Sequence, residues 1–154
     1  MMEIIYSSIT GNTKKLAETI KESLNENVYC GSLKEVLADT VFIGFWTTKN
    51  SCADDVKKVL ESLNNKKVFL FGTCGYNNTP EFFNNILNNV KENINDSNTI
   101  IGEFMSQGAV SANKRKALEG SHPDYLNMIP KLDESLNHPN EDDLNKLRAI
   151  VKSL

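Results

Sequence analysis

Residues 4–13 are Ile-Ile-Tyr-Ser-Ser-Ile-Thr-Gly-Asn-Thr. The apolar run Ile4–Tyr6 predicts a buried strand, and the apolar residues Leu16, Ile20 and Leu24, spaced at i, i+4 and i+8, predict a helix directly after it. The polar stretch between them is therefore a loop that joins a strand to a helix. This is the unit from which α/β domains are built.

The same alternation continues along the chain. Further apolar runs are short and β-branched or aromatic, which is typical of strands buried on both faces, and helical spacing of apolar residues lies between them. The predicted strands are Val41–Trp46, Val68–Phe71, Ile100–Met105 and a weaker Val28–Cys30, which a short segment 32–39 follows. The predicted helices are centred on 56–63 and 83–90, and a last helix begins at about Asp142.

This rhythm predicts one domain, residues 1–154, of α/β class. We expect a doubly wound, five-stranded parallel sheet in the order 2-1-3-4-5, with helices on both faces. In such sheets ligands bind at the carboxyl ends of the strands, where the direction of winding changes. The loops 7–13, 47–53 and 73–80 should therefore form the binding site.

Composition excludes several classes of function. The chain has 17 basic and 20 acidic residues, so no global field attracts nucleic acid. The longest apolar run, Val41–Trp46, is far shorter than the ~20 residues of a membrane span, and we expect no membrane association. The N-terminus does not resemble a signal peptide, and the odd number of cysteines (Cys30, Cys52, Cys74) favours reduced thiols, so we expect a cytoplasmic protein.

The loop Ser7–Thr13 has the composition of a phosphate site. It carries four hydroxyl groups, one amide side chain and one glycine at the start of a helix, where free N–H groups and the helix dipole attract anions. A helix cap alone would need one hydroxyl. The spacings of nucleotide-triphosphatase and dinucleotide-binding loops are absent, as are the acids of a response regulator and the Cys and Arg of a small phosphatase. The loop therefore predicts a site for a phosphate monoester.

With Tyr6 before it, this loop resembles the phosphate-binding signature of the short-chain flavodoxins, a strand followed by [ST]-x-T-G-x-T. The order of strands and helices agrees with that family over nearly the whole chain. The resemblance implies an FMN cofactor whose phosphate is contacted by this loop. The implied contacts are Ser7, Ser8, Thr10, Gly11, Asn12 and Thr13.

In flavodoxins the loops after the third and fourth strands enclose the isoalloxazine ring. The resemblance therefore adds Phe45, Trp46, Thr47, Thr48 and Lys49 from the first loop, and Gly72, Thr73, Cys74, Gly75 and Tyr76 from the second. Trp46 either stacks on the ring or belongs to the core of its strand, and Tyr76 has the same two alternatives. Gly75 either lets backbone N–H groups approach the flavin or serves as a plain turn glycine. Many flavodoxins have a glycine in the first loop, where a peptide flips on reduction; here the flip either falls at Asn50 or is missing.

The C-terminal segment 107–154, with His138-Pro139-Asn140-Glu141-Asp142-Asp143-Leu144, resembles a subgroup of short flavodoxin-like proteins from anaerobic bacteria. Some members of that subgroup are associated with bilirubin reductase.

The remaining candidates favour structural roles. Cys74 is interpreted as a buried thiol, His122 and His138 as parts of surface turns, and no metal site is predicted. The acids Asp54, Asp55 and Glu81 are interpreted as first-turn residues of helices. The basic patch 114–116 is either solvated or a docking point for an acidic electron donor.

These observations together predict an FMN protein that shuttles electrons between a reductase donor and an acceptor enzyme, acts as a monomer and needs no catalytic side chain. Two alternatives remain. One is an FMN-dependent NAD(P)H reductase acting on flavin, quinone or bilin, and the other is a cofactor-free scaffold for protein interaction.

Overall fold

A computed structural model describes residues 1–25 and 27–154. Within these residues, five strands form one parallel sheet in the order β2-β1-β3-β4-β5. The strands are β1 Met2–Tyr6, β2 Tyr29–Ser32, β3 Thr40–Trp46, β4 Lys67–Cys74 and β5 Thr99–Gln107. The predicted fold class and strand order are confirmed.

The helices are α1 Asn12–Ser23, α2 Asp54–Glu61, α3 Pro80–Lys91, α4 Ala112–Ser121, α5 Tyr125–Ser135 and α6 Glu141–Lys152. The helices predicted from apolar spacing correspond to α1, α2, α3 and α6. The pair α4 and α5 was not predicted. Helix α4 buries none of its side chains and therefore shows no apolar stripe, and α5 contains Pro130, a residue that disfavours a helix interior. Of the segment 32–39, Ser32 ends β2, and residues 33–39 are irregular chain up to the start of β3.

Two hydrophobic layers lie on opposite faces of the sheet. Ile5, Ile43 and Phe45 pack with α2 and α3, whereas Ile4 and Phe42 pack with α1 and α6. Successive side chains of a strand point to opposite faces. A strand covered on both faces is therefore mostly apolar, which is why the middle parts of β3 and β4 are apolar runs.

The helix ends follow from local polar contacts. Asp54, Asp55 and Glu81 lie in the first turns of α2 and α3, as predicted. The prediction of a surface turn at His138 was incomplete, because its ring Nδ1 lies 2.6 Å from Asp143 Oδ2 and its carbonyl accepts the Ala109 N–H at 2.8 Å. His138 thus joins the start of α6 to the loop after β5.

No helix among residues 1–25 and 27–154 is long and apolar enough to cross a membrane.

Two glycine substitutions should change stability in opposite directions. A Cβ on Gly72 would overlap the ring of the fully buried Phe45, whereas a Cβ on Gly120 in α4 would meet nothing within 4 Å. Overpacking should lower the free energy of unfolding of Gly72→Ala by ~1 to 3 kcal/mol. Gly120→Ala should raise it by about 0.5 kcal/mol, because alanine loses less backbone entropy in a helix. Urea unfolding followed by circular dichroism measures both, and equal stability of the two variants would contradict the packing of Phe45 on Gly72.

Candidate functional site

A cavity of about 580 Å³ opens where β1, β3 and β4 end. Its walls come from the loops that follow these strands and from segment 108–128 beyond β5. This is the edge at which the winding of the sheet reverses between β1 and β3, where ligand sites in such sheets are found. The volume is in the range of small-molecule sites.

The loop before α1 presents hydrogen-bond donors to this cavity. Ser8 Oγ accepts the N–H groups of Gly11 at 3.2 Å and Lys14 at 3.3 Å, and Thr10 Oγ1 accepts Asn12 Nδ2 at 3.2 Å. These hydroxyl oxygens act as acceptors inside the loop, so each keeps its own proton to donate to a ligand. Ser8, Thr10 and Asn12 line the cavity.

The backbone of this loop adds two more donors. Gly11 is the N-cap of α1, with φ of +90°, and as a glycine it has no side chain to cap the helix. Among the described residues, the N–H groups of Asn12 and Thr13 have no acceptor. Free amides at the positive end of a helix dipole form an anion site.

Thr13 differs from the other hydroxyl residues of the loop. Its side chain is buried, and Thr13 Oγ1 lies 3.2 Å from both the Phe45 carbonyl and Thr73 Oγ1. The carbonyl of Thr73 in turn accepts the N–H of Thr47 at 3.0 Å and its hydroxyl at 2.8 Å. The hydroxyl of Thr13 is therefore used inside the protein, and only its N–H is left for a ligand.

Trp46 forms one wall of the cavity. It is partly exposed and belongs to neither hydrophobic layer. Its Nε1–H donates to Ser7 Oγ at 3.3 Å, and the Ser7 hydroxyl donates to Asp55 Oδ2 at 3.4 Å. Ser7 does not line the cavity, and its hydroxyl holds the indole ring in position.

Residues 48–51 form a tight turn beside Trp46. The N–H groups of Thr48 and Ser51 each donate to the other's carbonyl at 2.9 Å, and φ is +49° at Lys49 and +60° at Asn50. Two successive positive φ angles between paired residues define a type I′ turn. Asn50 is thus a residue with positive φ, as its type allows, and Lys49 shares this conformation.

The turn is held from α3 and from the loop after β4. The hydroxyl of Tyr76 donates to Asn50 Oδ1 at 3.1 Å, and Asn89 Nδ2 donates to the Asn50 carbonyl at 2.8 Å. The Tyr76 ring meets Phe82 edge to face, with ring centroids 5.4 Å apart. Burial, with a smaller contribution from Cys74, raises the pKa of Tyr76 to about 12.

The rest of the β4 loop is tightly packed. Cys74 is a buried thiol, as predicted, and burial raises its pKa. A Cβ on Gly75 would collide with the Val110 side chain, so a glycine is required here by the loop after β5. This packing reason was not visible in the sequence, where Val110 is 35 residues away.

Four predicted contacts do not line the cavity: Ser7, Gly11, Phe45 and Gly72. Phe45 is fully buried on the face of the sheet that packs with α2 and α3, and Gly72 lies directly beneath its ring. Neither residue lines the cavity, and nor does Gly11, whose contribution is the backbone turn. The Phe45 side chain and Gly72 are therefore not part of the cavity wall. The other cavity-lining predictions are Ser8, Thr10, Asn12, Thr13, Trp46, Thr47, Thr48, Lys49, Thr73, Cys74, Gly75 and Tyr76.

Sequence reasoning missed one whole wall. It comes from the loop after β5 and from the helix pair that follows, through Gly108, Ala109, Val110, Ser111, Lys114, Leu118, His122 and Met128. The available signal was topological, because β5 ends at the same edge of the sheet as β1 and β3. His122 is exposed, as expected for a turn, yet it also lines this wall.

The charge of the cavity differs from that of the chain. Its described lining residues include Lys49 and Lys114 but no Asp or Glu, although the whole chain has a net charge of −3. The potential inside the cavity therefore favours an anionic ligand.

Comparison with known proteins agrees with this geometry. The family described as "Flavodoxin domain" matches residues 3–152. The flavodoxin-like domain-containing protein BilS of Clostridioides difficile (strain CD3) is 32% identical over 165 aligned positions, which cover 98% of this chain and 94% of that protein.

Solved structures share the fold. A short-chain flavodoxin associated with a non-canonical PDU bacterial microcompartment has a TM-score of 0.63 at 16% identity, covering 100% of this chain and 96% of the other. The two-electron reduced flavodoxin of Megasphaera elsdenii has a TM-score of 0.58 at 17% identity, and both chains are covered completely. Because the family match extends over almost every residue, the chain belongs to the flavodoxin family, and its cofactor is FMN.

Proposed function

We propose that the chain binds FMN in this cavity and carries electrons between redox partner proteins. One observation carries the proposal: a single cavity combines uncharged anion donors at the start of α1 with the side chains of Trp46 and Tyr76. When bound, FMN supplies the electron-transfer chemistry, and the protein supplies binding and electrostatics.

The donor set of the α1 loop fits a phosphate monoester. Ser8 and Thr10 donate their hydroxyl protons, and Asn12 and Thr13 donate their backbone N–H groups. A phosphate carries only acceptor oxygens, so a cluster of donors without competing acceptors matches its chemistry. The positive end of the α1 dipole adds about half a unit charge.

The aromatic side chains fit a planar ring. Trp46 is anchored through its Nε1–H on Ser7, and Tyr76 through its hydroxyl on Asn50. Each anchor uses the polar edge of the aromatic group and leaves a ring face for stacking. Side chains held by such bonds lose little entropy when a ligand binds.

Two titratable side chains of the cavity, Cys74 and Tyr76, are held in their neutral forms by burial. Burial raises the pKa of both Cys74 and Tyr76, so the thiol and the phenol stay neutral near pH 7 and neither acts as a nucleophile or base.

We further propose that the protein works as a monomer in the cytoplasm, with a reductase as donor and an enzyme as acceptor. The free thiols of Cys30, Cys52 and Cys74 support a reducing compartment.

Flavin absorbance tests this function. The purified protein should bind FMN with a yellow flavin spectrum that dithionite bleaches at once, whereas NADH and NADPH should leave it unchanged over minutes. Rapid bleaching by either nicotinamide would overturn the carrier and favour an FMN-dependent reductase. Protein that stays colourless with added FMN would overturn both and favour a scaffold without cofactor.

Gly11→Asp should abolish FMN binding in a folded protein. At ~5 Å and an effective dielectric constant near 20, each charge of the phosphate repels a carboxylate by about 3 kcal/mol, which is more than a hundredfold in affinity. Gly11→Asn is the matched control, because asparagine has the same size, tolerates the φ of +90° and carries no charge. Flavin titration with circular dichroism measures both. Equal affinities of the two variants would contradict the phosphate site at α1.

Lys49→Glu should lower the reduction potential of the bound flavin. An ammonium group near the ring stabilises the reduced, anionic form, and at ~10 Å Coulomb's law gives about 1.7 kcal/mol before screening. Screening at this exposed position leaves under about 1 kcal/mol, so a shift of a few tens of millivolts is expected, and it should shrink at high salt. Spectroelectrochemistry at two ionic strengths measures it.

The matched control for this variant is Lys67→Glu. Lys67 is exposed at the amino end of β4, seven residues before Cys74. Seven steps of a strand span ~23 Å, more than twice the Debye length at physiological salt. The reduction potential of flavin bound to Lys67→Glu should match that of the unmodified protein. If Lys49→Glu does not change the potential at low salt, Lys49 does not tune the flavin.

A further inference from the structure

Lys114 lies in the first turn of α4 and lines the same cavity as Ser8, Thr10 and Asn12. It belongs to the helix pair between β5 and α6, outside the loop that carries the phosphate-binding signature. We propose that Lys114 is the cationic partner of the FMN phosphate and selects FMN over riboflavin, which has no phosphate. This inference rests on the proposed FMN site.

The position of Lys114 follows from direct contacts between its segment and the phosphate loop. Asn12 Nδ2 donates to Thr10 Oγ1 inside the loop at 3.2 Å and to the Ala109 carbonyl at 2.9 Å. A Cβ on Gly108 would lie 2.8 Å from the same Nδ2, so the two segments touch. Residues 108–109 are therefore held against the start of α1.

From this contact the chain leads directly to Lys114. Ser111 is the N-cap of α4, and its Oγ accepts the Lys114 N–H at 3.2 Å. This bond fixes the backbone at the start of α4, two residues after Ala109, which contacts Asn12. The Lys114 side chain therefore starts from a defined backbone position on the cavity wall.

The charge balance of the loop leaves a place for one cation. A phosphate monoester carries about −1.5 to −2 charges near pH 7, and the α1 dipole offsets about half a charge. The basic residues of α1 do not fill this role: Lys15 Nζ donates to the Pro139 carbonyl at 3.1 Å, and Lys14 does not line the cavity. Lys49 lines the cavity from the turn after β3, beside Trp46.

The ammonium group of Lys114 is available for this contact. In the described part of the chain, Lys114 takes part in no ion pair, whereas its neighbour Arg115 pairs with Asp133 of α5 at 2.6 Å. The described cavity-lining residues also include no carboxylate that could compete for it. Arg115 thus fastens α4 to α5 while Lys114 faces the ligand cavity.

Affinities of the full chain for FMN and riboflavin test the proposal. The Lys114→Gln variant loses one hydrogen bond from a charged donor. Its FMN affinity should therefore fall about tenfold at low salt, while its riboflavin affinity stays within about twofold. The salt dependence of FMN binding should also become weaker. Lys114→Arg should keep the preference for FMN.

Lys116→Gln is the matched control. It removes the same charge from the same helix and is exposed like Lys114, but Lys116 does not line the cavity. It should leave both affinities unchanged. Trp46 fluorescence during flavin titration, checked by ultrafiltration, gives the dissociation constants.

Three results would overturn the inference. Unchanged FMN affinity in Lys114→Gln would separate Lys114 from the phosphate, and an equal loss for FMN and riboflavin would make its role purely structural. The same selective loss in Lys116→Gln would indicate a general effect of charge. Failure of the unmodified protein to bind FMN would instead contradict the proposed function itself, so the two failures are distinguishable.

Discussion

The buried hydroxyl of Thr13 ties the start of α1 to the ends of two strands. It lies between the Phe45 carbonyl on β3 and the Thr73 hydroxyl on β4, at 3.2 Å from each. A buried hydroxyl without partners costs about 1 to 3 kcal/mol, so the fold is most stable when these three segments meet in this one arrangement. Thr47 extends the tie by donating to the Thr73 carbonyl. The three loops of the cavity are therefore held in place by the protein alone.

This tie also explains how the polar groups divide their work. The buried Thr13 hydroxyl makes its hydrogen bonds within the protein and sets the geometry of the cavity loops. Ser8 and Thr10 accept from N–H groups of their own loop and keep a proton to donate. Trp46 and Tyr76 follow the same rule, since each is bonded at its polar edge only. A site built this way needs little rearrangement when a ligand enters.

The sheet and the phosphate loop could be predicted because each leaves a local pattern in the sequence: buried strands are continuous apolar runs, and the loop has an unusual density of hydroxyls. The separate roles of Ser8 and Thr13 could not be predicted. The sequence does not show that the Thr13 hydroxyl is buried against β3 and β4, whereas Ser8 lines the cavity. The buried position of the Phe45 side chain could have been predicted from strand geometry. Phe45 follows Ile43 by two residues and so faces the same buried side. Helix α4 was missed because it buries no side chain and leaves no pattern.

The net charge of the chain does not predict the charge of the cavity. A chain of net charge −3 places Lys49 and Lys114 on walls whose described residues include no carboxylate. Fields within a protein are set by charges inside a Debye length of about 8 to 10 Å, so the local balance outweighs the global one. In the proposed function this has a consequence for redox tuning. A cation that strengthens phosphate binding also stabilises negative charge on the ring, by an amount that falls with distance. Placing one lysine on α4 beside the phosphate loop and another on the turn beside Trp46 allows cofactor affinity and reduction potential to be adjusted separately.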